Sequence, residues 1–138
     1  MHAKVIIVFT LLSLCRSIFT KMQSVAVEGT IKCNGLPAVN VPVELHVLET
    51  YSKATLDEAR TDSKGYFRLW AYKYDYSDIE PKLTIIGNKC NYVASCFKTV
   101  EIPIPEAYVS SGRQPKKTYD IGTLDLAKHT TDESHCTM

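Results

Sequence analysis

Beyond residue 14 the 138-residue chain has no apolar run long enough to cross a bilayer as a helix, so nothing later in it reads as a membrane anchor. It has no Asn-x-Ser/Thr sequon, which excludes ordinary N-glycosylation. It carries almost no net charge, sixteen Lys and Arg standing against fifteen Asp and Glu, and that balance argues against nucleic acid as a partner. His46, His129, His135 and Cys136 lack the short spacings of a zinc site, so neither a metal nor a cofactor is expected. Helical periodicity is nearly missing as well, which turns attention to strands.

What is present begins with a leader. One lysine precedes the mostly apolar run Val5 to Leu14, too short for a membrane span and followed by small residues at Cys15 and Ser17. Residues 1–20 read as a secretory signal peptide, cut between about residues 17 and 23, and the expected location is secreted and extracellular. Loss of Lys4 and Arg16 leaves fourteen basic residues against fifteen acidic ones. Loss of Cys15 leaves Cys33, Cys90, Cys96 and Cys136, an even number that reads as two disulfides in an oxidising compartment. Three connectivities are open. Cys33 with Cys136 and Cys90 with Cys96 is the preferred pairing, because the first would tie down the polar tail 128–138 by closing a loop of about 100 residues. Residues 21–127 suffice for one domain with its own core.

Along that domain the pattern alternates with period two. Val25, Val27, Ile31 and Cys33 share a parity, with Gly29 on the same face as a candidate bulge or close approach. Val41, Val43, Leu45 and Val47 share another, which leaves His46 pointing away from the core as a solvated or partly covered surface histidine. Asp62 to Gly65 reads as a four-residue hairpin connection. "PKLTIIG" starts a strand after its proline, and Pro103 and Pro105 end the next one or place it at an edge. "YDIGTLDL" changes parity, which a bulge at Gly122 would reconcile. About seven such strands imply an antiparallel β-sandwich of immunoglobulin-like type.

Two surface features stand out. Tyr66, Arg68, Trp70 and Tyr72, continued by Tyr74 and Tyr76, occupy the outer parity of one strand. The simpler reading is that a neighbouring element covers this row or that aromatics merely favour strands; the functional reading is an exposed partner surface. Arg113, Lys116 and Lys117 fall in the Gly/Pro-containing stretch "SSGRQPKK", either a solvated loop or a contact for anionic lipid headgroups or acidic glycans.

"VEGTIKCNGLPAVNVPVEL", "TDSKGYFRL", "PKLTIIGNKC", "VEIPIPEAYVSSG" and "YDIGTLDL", in that order and spacing, resemble the nematode transthyretin-like family from about Ser24 to Cys136. The resemblance implies a two-sheet transthyretin-type sandwich, secretion, and no established general activity. The family's histidine before the cysteine of the "PKLTIIGNKC" strand is replaced here by Gly87-Asn88-Lys89. The wider fold includes 5-hydroxyisourate hydrolases, which need histidines, an arginine and a C-terminal Tyr-Arg-Gly-Ser. This chain ends in "ESHCTM", places His46 on the second strand, and offers only Glu28 and Lys32 on the first. The expected function is therefore a secreted binding or adaptor module without catalytic residues, recognising an extracellular protein, a lipid surface or a small apolar ligand, with a host-directed factor as one version. An oligomeric carrier of small hydrophobic ligands is the alternative.

Overall fold

The structure, a computed structural model, describes residues 20–87, 96–128 and 134–136, with backbone alone for 96–98 and 134–136. The signal-peptide segment up to residue 19 and Cys90 lie outside the described residues.

The strands in chain order are β1 (Lys21–Cys33), β2 (Leu36–Pro37), β3 (Pro42–Leu48), β4 (Lys53–Arg60), β5 (Tyr66–Asp75), β6 (Pro81–Gly87), β7 (Cys96–Pro103), β8 (Ser110–Ser111), β9 (Tyr119–Asp125) and β10 (Ser134–Cys136). A short 3-10 turn, Glu106–Tyr108, precedes β8. Seven strands have seven or more residues, matching the expected number; β2, β8 and β10 are short additions. They form two five-stranded sheets. In sheet 1, β1 is the hub for β2, β5, β8 and β9; sheet 2 runs β10-β7-β6-β3-β4. Every pairing is antiparallel except β1 with β9, which is parallel.

Alternation explains the core. Val25, Val27, Ile31, Phe67 and Leu69 face inward from sheet 1 and meet Val43, Leu45, Leu83, Ile85 and Val100 from sheet 2, all of them buried. Gly29 sits on that inner face as expected: a Cβ there would come within 2.3 Å of the Ile121 side chain. Opposite it, the register with β9 shifts between Glu28 and Thr30, and Gly122 takes a positive φ of 76°, so the bulge that reconciles the parity of β9 is present.

The connection at Asp62 to Gly65 corrects one expectation. The turn forms, with Asp62 accepting from the backbone N–H groups of Lys64 and Tyr66, but it joins strands of different sheets and is not a hairpin. Thr61 explains the crossing. Its hydroxyl donates to the Ala38 carbonyl and accepts from Val41 N–H, anchoring the end of β4 beside β3. Gly65 then accepts from Ile31 N–H at 2.8 Å, which hands the chain to sheet 1.

Cys33 is disulfide-bonded. The pairing of Cys33 with Cys136 and of Cys90 with Cys96 falls on side chains outside the described residues. The tail does return to the domain as β10, whose backbone sets Cys136 opposite Cys96 on β7.

Gly65 and Gly35 share a positive φ, of 78° and 80°, but a Cβ on Gly65 would lie 2.2 Å from the Ile31 carbonyl oxygen, whereas that on Gly35 meets open space. Gly65→Ala should therefore cost about 3 kcal/mol of unfolding free energy and Gly35→Ala about 1 kcal/mol. Urea unfolding of the two variants measures this, and equal losses would show that the Gly65 contact is slack.

Candidate functional site

The outer face of sheet 1 is built by register. Antiparallel pairing of β1 with β5 runs unbroken from Lys21 opposite Asp75 to Thr30 opposite Tyr66. Phe67, Leu69 and Ala71 therefore go inward, and Tyr66, Arg68, Trp70, Tyr72 and Tyr74 go outward, at steps of about 6.7 Å. No element among the described residues covers them. Tyr66, Trp70 and Tyr72 are between 38% and 42% exposed, Tyr74 is 60% exposed, and Arg68 and Tyr76 are exposed too. This corrects the expectation that a neighbouring element buries the row; the β-preference of aromatic residues accounts for their place in a strand either way.

Local contacts hold the row in place. Tyr66 donates its hydroxyl to Glu28 at 2.7 Å, and that bond raises the tyrosine's pKa. Trp70 is fixed through its backbone: its N–H, on the free edge of β5, donates to the Asp57 carboxylate at 3.1 Å. Asp57 is aimed there by a bulge in β4, where the register with β3 slips between Leu45 and His46. A carboxylate on an otherwise open edge also discourages edge-to-edge pairing.

The structure brings the basic loop onto this same face. β8 pairs with β1 on the side away from β5, setting Ser110 opposite Ser24, while Tyr72 lies opposite Ser24 from β5. Arg113, three residues beyond Ser110, places its guanidinium carbon 4.8 Å from the centroid of the Tyr72 ring. Its side chain thus reaches over β1 at the level of Ser24. That contact is a cation–π pair. Lys116 and Lys117 remain exposed in the loop, which is closed by Lys116 N–H donating to Ser110 Oγ at 2.9 Å. The two candidate surfaces of the sequence are one surface. Sequence parity could not reveal this, because nothing in it says that β8 and β5 flank the same strand.

Ser24 and Ala26 are members of the face that sequence reasoning missed. Both are completely buried although they point outward, Ala26 beside Trp70 and Ser24 between Tyr72 and Ser110. The Ser24 hydroxyl has no hydrogen-bond partner among the described residues.

His46 requires a second correction. It does lie on the parity opposite Leu45, on the outer face of sheet 2, but it is only 2% exposed. Its Nδ1 is 3.2 Å from the Thr84 hydroxyl. Beside it Glu44 accepts from the Thr55 hydroxyl at 2.6 Å and pairs with Lys53 at 2.9 Å, and the Thr55 bond holds the Glu44 carboxyl below its ordinary pKa. Burial lowers the imidazole pKa below 6.5, Lys53 and Lys82 adding to this and Glu44 and Glu101 opposing it. The Coulomb partners around it are ordinary structural charges, and no second imidazole or arginine joins them among the described residues. Sequence parity assigned the direction of the side chain; it could not assign what the adjacent strands place over it.

The architecture is that of an all-β sandwich of two sheets. The sequence profile of the transthyretin-like family matches residues 28–105, and the chain belongs to that family. Transthyretin-like protein 1 of Caenorhabditis elegans is 34% identical over 116 residues, covering 78% of this chain and 74% of that protein. Transthyretin-like proteins 5 and 33 of the same organism are 29% and 33% identical, covering 90% and 86% of this chain and 91% and 82% of theirs. Among solved structures, a 9R-lipoxygenase from Cyanothece overlaps 75% of this chain and 16% of that one at a TM-score of 0.40 and 18% identity, too slight a likeness to add to the family assignment.

Because the folded His46 pKa lies below the unfolded value, the unfolded chain takes up the proton first. The stability given by the neutral imidazole is complete above a pH of about 6.5 and is lost as pH falls below it. Denaturant unfolding at about pH 7.5 and 5.5 should show a larger loss for the native sequence than for His46→Gln. Equal losses would mean that the imidazole accepts a proton in the folded protein as easily as in water.

Proposed function

We propose that this chain is an extracellular binding module without catalytic activity that docks its partner on the outer face of sheet 1. One observation supports this above the others: Tyr66, Trp70 and Tyr72 are solvent-exposed together, beside the Arg113 guanidinium. Aromatic side chains with polar tips give large contact area at little entropic cost, and a contiguous row of them is expensive to leave in water without a use. Extracellular placement is read from the N-terminal leader and the even count of remaining cysteines.

The hydrolase reading has little support. General-base chemistry needs an imidazole within reach of substrate and beside a cation that fixes it. His46 is enclosed by threonine, glutamate and lysine side chains.

Crosslinking pull-down from extracellular material tests the proposal with a paired variant. Trp70→Ser with Tyr72→Ser should reduce capture of the specific partner by about tenfold or more, while the unfolding free energy changes by less than about 1 kcal/mol, as both side chains are surface residues. Undiminished capture would remove the face from the binding site. Loss of folded protein would show that the rings stabilise the domain instead.

A further inference from the structure

The composition of the open face is selective. Its exposed aromatics on β5 are tyrosines and one tryptophan, and its neighbours on β1 and β8 include the hydroxyl side chains of Ser24, Thr30 and Ser110. Such a surface offers flat apolar rings edged by hydrogen-bonding groups, repeating along a straight strand for about 27 Å from Tyr66 to Tyr74. A linear polymer of hydroxylated rings, whose apolar faces stack on aromatic side chains, matches such a ladder.

Charge narrows the partner further. Arg113 is held over Tyr72, yet among the described residues no carboxylate or carbonyl accepts from its guanidinium. Arg68 in the row and Lys116 and Lys117 in the Arg113 loop are exposed, and the nearby carboxylates are engaged: Glu28 accepts from the Tyr66 hydroxyl, Asp57 from the Trp70 N–H, and Asp120, opposite Glu28 on β9, from the Gly122 N–H. A guanidinium that is weakly hydrated and unpaired favours a weakly hydrated oxyanion such as a sulfate ester. Beneath the Arg113 arm lies the Ser24 hydroxyl, fully buried and without a partner, a state that is costly unless something completes it.

Building on the docking face proposed above, we propose that its ligand is a sulfated polysaccharide. Sugar rings lie along Trp70, Tyr72 and Tyr74, and a sulfate group draws Arg113 off the Tyr72 ring. Movement of that arm opens the Ser24 hydroxyl to a sugar hydroxyl or sulfate oxygen. Arg113 acts here as a ligand contact and as the cover of the subsite.

Binding of a heparin dodecasaccharide to the full secreted chain, followed by titration calorimetry, tests this. The desulfated dodecasaccharide, phosphatidylserine vesicles and the variants Trp70→Ala, Arg113→Gln, Ser24→Ala and Lys128→Gln complete the set. Heparin should bind, with about tenfold loss on desulfation or in Trp70→Ala, about threefold or greater loss in Arg113→Gln and in Ser24→Ala, and none in Lys128→Gln, which removes the same charge at the far end of β9. Equal losses in Arg113→Gln and Lys128→Gln, or no effect of Trp70→Ala, would reveal diffuse charge attraction and overturn the proposal. Vesicle binding that depends on Trp70, without heparin binding, would also overturn it, in favour of a lipid surface. Absence of heparin binding, when Trp70→Ser with Tyr72→Ser still abolishes partner capture, would overturn the glycan assignment and leave the docking face standing. Failure of both would remove the face itself.

Discussion

The ten-residue register between β1 and β5 is the constraint from which the rest follows. Side chains alternate with period two, so a slip by one residue would send Trp70 and Tyr72 into the core and bring Leu69 and Phe67 to the surface. The inner face forbids that slip. Val25, Val27, Phe67 and Leu69 together with the Gly29 notch for Ile121 form a packed surface with no room for an indole. Burial of those side chains, each contributing about 1.5–3 kcal/mol, is what holds the aromatic row outward. The exposed face is thus a by-product of core packing as far as folding is concerned, and its chemistry is free to serve recognition.

The two outer faces differ in how their polar side chains are paired. On sheet 2 the polar side chains satisfy one another: Lys53 and Thr55 with Glu44, and Thr84 with His46. Such a network is suited to closing the surface around His46. On sheet 1 the aromatic rings are half in water, the Arg113 guanidinium rests on a ring in place of a carboxylate, and the Ser24 hydroxyl is unpaired. The Asp57 carboxylate, reaching from sheet 2 to the Trp70 N–H, ties the two faces mechanically and keeps the edge of β5 from acting as an undirected adhesive.

Much of the fold was legible because parity is written into the residues. The inward sets Val43, Leu45, Val47 and Phe67, Leu69, Ala71 were assigned correctly, as were the strand starting at Pro81, the end of β7 at Pro103 and the bulge at Gly122. What escaped were relations between strands. Asp62 to Gly65 has the chemistry of a hairpin turn, but Thr61 and Gly65 commit its two ends to different sheets. The parallel arrival of β9 beside β1 depends on the path taken by residues 104–118, which carries no local signal. For the site, direction was readable and cover was not. His46 and the aromatic row both point outward from their sheets, and the threonine and charged neighbours of His46 enclose it while the row stays open. The association of Arg113 with Tyr72 joins residues 41 positions apart and needs the hub role of β1 to be known.

Trp70 is the sole tryptophan of the chain, so its fluorescence reports on the central claim directly. Collisional quenching of the native protein by iodide and by caesium should show an indole accessible to both ions. A blue-shifted emission that neither ion quenches would place the indole in the core. In that case the register, the face and the recognition role built on them would all be contradicted.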